Sequence, residues 1–295
     1  MRVSDLALPP QARGPKVPTW VHELARGVLP PALGWLGRRP DARAWLEELP
    51  STIRATTAMW DITVGQPMVG GVTSVVAAAT MTDGSPAVLK IQLPHRESEQ
   101  EADALRAWDG AGAVHLLAHD ARRGALLLER CMPGTPLGEA KLSADAGLDI
   151  LVALLPRLWL PARPTFETLE DEAAHWVAGL EEAWERAGRP WERRLLEEAR
   201  DALWTLGPTQ GEQVLVNQDL HGGNVLRATR EPWLVIDPKP LLGEREFALA
   251  PIVRSFELGH SRQAVFHRLD RLSDDLGLDR ERVRLWTIGQ TIAWS

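Results

Sequence analysis

The stretch that decides the fold is Val214-Leu215-Val216-Asn217-Gln218-Asp219-Leu220-His221-Gly222-Gly223-Asn224-Val225-Leu226, with its sequel Trp233-Leu234-Val235-Ile236-Asp237-Pro238-Lys239-Pro240. An apolar run leads into a polar loop, and Val225-Leu226 leads out of it. The turn Thr229-Arg230-Glu231-Pro232 then predicts that residues 233–236 fold back as a second strand. This arrangement leaves Asp219, Asn224 and Asp237 at strand ends and on a loop, converging on one point.

An Asp, an Asn five residues later and an Asp thirteen beyond that form a phosphoryl-transfer pattern. The first Asp accepts the proton of an attacking hydroxyl, and the Asn and second Asp hold Mg²⁺ on ATP phosphates. A surface loop whose Asp and Asn only satisfy turn backbone is the competing explanation. It fits poorly an Asp that follows a buried strand and precedes prolines at 238 and 240. His221 reads as a brace of the loop rather than a proton carrier. Lys239 either touches a phosphate or caps its segment.

Upstream, strand signals cover residues 60–64, 72–79 and 87–91, with Asp83-Gly84 as a hairpin turn. A helix is predicted over 97–108, then strands over 114–118 and 125–128 around Arg122-Arg123-Gly124. Lys90 ends the third strand, where it would reach phosphate oxygens and pair with a glutamate of the following helix. Glu97, Glu99 and Glu101 are the candidates. Glu101 is favoured because it shares a face with Leu105 and Trp108, beside Ala104. The turn from Gly65 to Gly71 lies between the first two strands, where Gly70 and Gly71 would let backbone N–H groups approach phosphate. It matches neither G-x-G-x-x-G nor the Walker pattern, and the lack of Gly-Lys-Ser/Thr excludes a P-loop.

The chain has 295 residues, long enough for two lobes. Two short helical patterns, over 21–29 and 42–49, precede the strands. Helices are predicted from 137 to 206, with Trp159, Trp176, Trp184, Trp191 and Trp204 on apolar core-forming faces, and again from 247 onward. The expected fold is α+β and bilobal, like the protein kinases. Its N-terminal lobe is placed at 1–130, with a helical lead over 1–58, and its helical C-terminal lobe at 131–295. A connector near 129–134 carries Glu129 and Cys131, whose backbone groups would bind adenine while the thiol packs.

The net charge of −7 argues against general nucleic-acid binding. No apolar run reaches the roughly 20 residues of a membrane span. One cysteine excludes an intrachain disulfide, and together with the missing signal-peptide pattern it leads to a cytoplasmic expectation. Only four of the 33 Lys and Arg residues are lysines, Lys16, Lys90, Lys141 and Lys239, so a lysine inside an apolar strand invites explanation. The remaining histidines show no metal-ligand spacing. Oligomeric state is not legible.

The chain resembles the aminoglycoside phosphotransferase family, in its streptomycin 6-kinase and hydroxyurea-resistance branch. The resemblance rests on Gly65-x4-Gly70-Gly71, Ala87-Val88-Leu89-Lys90, Glu101-x2-Ala104-Leu105-Arg106-x-Trp108 and Leu126-Leu127-Leu128-Glu129-Arg130. It continues through Gln218-Asp219-Leu220-His221-Gly222-Gly223-Asn224-Val225-Leu226 and Ile236-Asp237-Pro238-Lys239-Pro240. It implies ATP as donor, Mg²⁺ as cofactor and a hydroxyl of a small, often cationic molecule as acceptor. It also implies Asp219 as base, Asn224 and Asp237 as Mg²⁺ ligands and Lys90 as a grip on ATP. Asn217-Gln218 departs from the His-Gly of the usual motif. Rival readings are a kinase for an amino sugar or aminocyclitol and a nucleotide-binding module without catalysis. Glu167, Glu170, Asp171 and Glu172 would attract a cationic ligand or simply begin a solvated helix.

Overall fold

The computed structural model describes residues 17–34, 36–68, 73–161 and 165–295. It divides into two compact units, Met1–Pro94 with Leu117–Arg130, and His95–Leu116 with Cys131–Ser295.

In the first unit, α1 (Thr19–Leu24) and α2 (Arg43–Met59) precede a sheet. Its strands are β1 (Thr63–Pro67), β2 (Ser74–Thr80), β3 (Pro86–Gln92), β4 (Leu116–Asp120), which begins at the unit boundary, and β5 (Ala125–Glu129). The spatial order is β1-β2-β3-β5-β4. Alternation determines the faces. Val75, Ala77 and Ala79, Ala87, Leu89 and Ile91, and Ala125 and Leu127 form one buried core with Trp20, Val21, Leu49 and Ile53 of the helices. Helix α2 runs through Pro50, well past the expected end at residue 49. Burial of Leu49 and Ile53, both 0% exposed, offsets the lost backbone bond.

The second unit holds α3 (Glu101–Trp108), α4 (Ala144–Leu158), α5 (Leu169–Arg186) and α6 (Arg193–Leu206). Then come β6 (Gln213–Asn217), β7 (Val225–Arg227), β8 (Trp233–Val235), β9 (Pro240–Glu244), α7 (Ala250–Arg254), α8 (Arg262–Leu276) and α9 (Arg280–Ala293). β6 pairs antiparallel with β9, and β7 with β8. The helix predicted over 97–108 starts as a 3₁₀ turn at Arg96–Ser98, and α3 proper follows. α3 belongs to this unit because its buried face closes on it: Trp108 Nε1 donates to Leu158 O at 2.9 Å. The strand expected at 114 begins at Leu116, since the Val114 N–H is already given to Val235 O at 3.0 Å.

The tryptophans divide. Trp176 and Trp184 are core, as expected, with an edge contact from Trp176 to Trp294. Trp204 is 72% exposed, contrary to expectation, because α6 buries Leu196, Ala199, Ala202, Leu203 and Leu206 instead. Among the described residues no helix is long and apolar enough to cross a membrane.

Candidate active site

The hairpin of β7 and β8 forms as the sequence predicted, and the loop before it is held by bonds to its backbone. Asn217 ends β6 at 2% exposure, and its Oδ1 accepts from the N–H groups of both Asp219 and Lys239, each at 3.0 Å. One amide oxygen therefore fixes the loop carrying Asp219 to the segment carrying Lys239. Gln218 N donates to Lys239 O at 3.0 Å, and Ile236 N to Asn224 O at 2.9 Å. These two bonds flank Asp237, whose φ of 49° lies in the left-handed region that Asp tolerates better than most residues. Asn224 joins the loop to itself, its Nδ2 donating to Asp219 O at 3.0 Å.

Charge gathers around Asp219. Lys239 Nζ lies 3.2 Å from Asp219 Oδ2 and 3.1 Å from Glu97 Oε2, with the Trp294 ring 4.7 Å away. Burial works against the charged ammonium, but the two carboxylates outweigh it and hold its pKa above the ordinary lysine value. On the other flank, His221 Nδ1 lies 2.7 Å from Glu257 Oε1. Glu257 also accepts from Gly222 N at 3.2 Å, Gly223 N at 3.0 Å and the Ser255 hydroxyl. Burial pushes the Glu257 carboxyl up, yet these donors bring it down to about 2. His221 is raised: burial opposes its charge, but Glu257 and then Asp219 favour it.

Two further residues set this frame. The buried Arg268 of α8 donates to the carbonyls of Val253, Ser255, Leu258 and Gly259, capping α7 and shaping the turn that presents Glu257. Gln290 of α9 donates to Gln218 O at 2.7 Å and accepts from Arg254 Nε at 3.2 Å. Glu257, Arg268 and Gln290 lie beyond the loop in sequence and carry no motif, so sequence reasoning did not find them. Only the polar character of Gln290 inside an amphipathic helix pattern offered a signal.

The other expected residues fall as follows. Lys90 is 5% exposed on β3, opposite Val76 of β2 and Leu126 of β5. Alternation puts it on the sheet face away from the helices. Glu129 closes β5 in register with Ala87 in the first unit, whereas Cys131 is buried in the second. Glu101 is buried on α3 with Ala104, Leu105 and Trp108. Gly70 and Gly71 lie outside the described residues. Of the acidic residues near α5, Glu167 and Glu172 are bonded to Arg96, the former at 2.7 Å. Asp171 pairs with the capping Thr168, leaving an exposed helix start at Glu170 and Asp171.

A family model described as aminoglycoside/hydroxyurea antibiotic resistance kinase matches residues 59–294. The chain belongs to this family. A hydroxyurea phosphotransferase from Kitasatospora aureofaciens is 41% identical over 253 residues, covering 85% of this kinase and 73% of that protein. A streptomycin 6-kinase from Streptomyces glaucescens is 37% identical, covering 85% and 83%. Among solved structures, a choline kinase from Streptococcus pneumoniae aligns with TM-score 0.59 at 16% identity, over 84% of this chain and 88% of that one. A spectinomycin phosphotransferase, solved with ADP and spectinomycin, aligns with TM-score 0.55 at 12% identity, over 79% and 82%. The kinase thus has the α+β, bilobal, protein-kinase-like fold, and it is a phosphotransferase that uses ATP.

Proposed function

We propose that this kinase moves the γ-phosphate of ATP to a hydroxyl of a small, cationic antibiotic of the streptomycin type or to hydroxyurea, in the cytoplasm, with Asp219 as base. The observation that carries the reading is the carboxylate of Asp219, held in a loop whose backbone is tied at both ends and flanked by Lys239 and His221. The acceptor O–H bond breaks and its proton passes to Asp219. The acceptor oxygen bonds to the γ-phosphorus, and the bond to the β-phosphate oxygen breaks to release ADP.

Asn224 and Asp237 fit Mg²⁺. With Nδ2 of Asn224 given to Asp219 O, its Oδ1 is the atom left to a cation, and Asp237 adds a carboxylate. Hard oxygen donors in small number are what Mg²⁺ takes when phosphates and water complete its shell. When bound, Mg²⁺ would neutralise charge developing on the phosphates. Lys90 would grip the phosphates from β3, with Glu101 as its partner. Gly70 and Gly71 would cover the phosphates, and the backbone at Glu129 and Cys131 would meet adenine.

The test is Mg·ATP consumption against streptomycin, other aminoglycosides, hydroxyurea and amino sugars, with Asp219→Asn as control. Turnover on streptomycin or hydroxyurea that depends on Asp219 is expected. Turnover confined to an amino sugar would replace the antibiotic by a metabolite. ATP binding with no transfer to any acceptor would make the protein a binding module.

A further inference from the structure

Lys239 is one of four lysines in a chain whose ordinary cation is arginine, and its ammonium sits between two carboxylates. The pairing is not a loose surface contact. The backbone N–H groups of Lys239 and Asp219 both donate to Asn217 Oδ1, so the two side chains rise from positions tied to the same atom. The Trp294 ring, 4.7 Å from Nζ, shields the ammonium on a further side.

The two oxygens of Asp219 are thereby made unequal. Oδ2 is engaged by Lys239 at 3.2 Å. Oδ1 has His221 Nε2 at 3.9 Å, beyond hydrogen-bond reach. We infer that Lys239 is a positioning residue for the base: it anchors Oδ2 so that Oδ1 receives the proton of the acceptor hydroxyl. Glu97 anchors Lys239 in turn, and so ties the 3₁₀ turn Arg96–Ser98 before α3 to the reacting carboxylate. The inference rests on Asp219 being the base.

Without the ammonium, Oδ2 of Asp219 loses its contact and Glu97 its partner, and Arg254, whose charge also acts on Asp219, does not replace the bond to Oδ2. Small misplacement of a reacting group costs rate rather than nucleotide affinity. The same cation in contact with phosphate would instead show itself in the KM for ATP. The two roles therefore differ in which constant moves.

The experiment measures kcat and both KM values for Lys239→Met, Lys239→Arg, Glu97→Gln, Asp219→Asn and the double variant Asp219→Asn/Lys239→Met. The acceptors are streptomycin and hydroxyurea, with water (slow Mg·ATP hydrolysis) as a third. Lys239→Met is expected to lower kcat about 10- to 100-fold, with the KM for ATP unchanged within about twofold. Lys239→Arg should recover part of the loss, and Glu97→Gln should cost only about two- to fivefold, since Lys239 keeps its bond to Asp219. In the Asp219→Asn background, Lys239→Met should cost nothing further, because residues that act as a unit are not additive.

A raised KM for ATP with kcat intact would overturn the inference in favour of a phosphate grip. So would a full multiplicative loss in the double variant. Wild-type turnover in Asp219→Asn alone would instead remove the base assignment, a separate failure. If Lys239→Met does not fold, as judged by its Tm, the arginine and Glu97 variants carry the same comparison.

Discussion

The sheet of the first unit and the hairpin of the second are both made of short antiparallel strands, yet different forces hold them. β2, β3 and β5 are positioned by alternation: every second side chain is buried against α1 and α2, and the core cluster is apolar throughout. The loop between β6 and β7 has little apolar surface to bury. Its shape comes from Asn217, Asn224, Glu257 and Gln290 bonding backbone groups, the last across 72 residues of sequence. A sheet held by area is fixed by pattern, so a change in one contact costs stability but leaves the register in place. A loop held by a few directed bonds fixes atoms, and loses function when one is removed.

Four substitutions would break or sharpen this contrast. Asp219→Asn is expected to lower turnover by about 10²–10⁴-fold while changing the Tm little, since Lys239 keeps Glu97 as its partner. Leu89→Ala, in the middle of β3 at 2% exposure, should do the reverse. A loss of about 2–5 kcal/mol in denaturant unfolding is expected, with kcat per folded molecule retained. A change in kcat would mean that the sheet is not a passive scaffold.

Glu257→Gln lies between these extremes, because Glu257 is a half-buried acceptor for the loop. A loss of about 1–3 kcal/mol is expected from donors left poorly matched, together with a fall in kcat. Its pH signature has a definite sign. The carboxyl titrates at about 2 when folded against an ordinary 4.5, so its stabilisation is complete above pH 4.5. That stabilisation is lost as pH falls from 4.5 towards 2. The wild-type Tm should therefore drop more steeply than that of Glu257→Gln across this window, and parallel curves would refute the assignment. The smallest effect is expected for Trp204→Ala, within about 0.5 kcal/mol, because a side chain 72% exposed buries little.

The candidate residues could be singled out in the sequence because phosphoryl transfer needs specific donors at specific spacing. Asp219, Asn224 and Asp237 stand out between apolar strands, and the hairpin from β7 to β8 follows from its turn. The strands of the first unit were legible from period 2, with ends displaced by at most three residues. β1 begins late because the turn at Trp60 and Asp61, the latter at φ 48°, must first reverse the chain leaving α2. The extension of α2 through Pro50 was not legible, since local propensity opposes it and only burial favours it. Trp204 was misread because a tryptophan in a helix does not declare which face it occupies.

The sequence by itself determined the family and the reaction class and singled out candidates for a base and for oxygen ligands, for these depend on side-chain chemistry and short spacing. Tertiary structure alone decided which groups hold them. Lys239 was open between phosphate and cap, and its place between Asp219 and Glu97 depends on the 3₁₀ turn before α3 meeting the loop after β8. Glu257 reaches the loop only because Arg268 shapes the turn after α7. Such contacts join segments far apart in the chain, and their geometry is fixed by the packing of whole helices, which no local pattern of residues encodes.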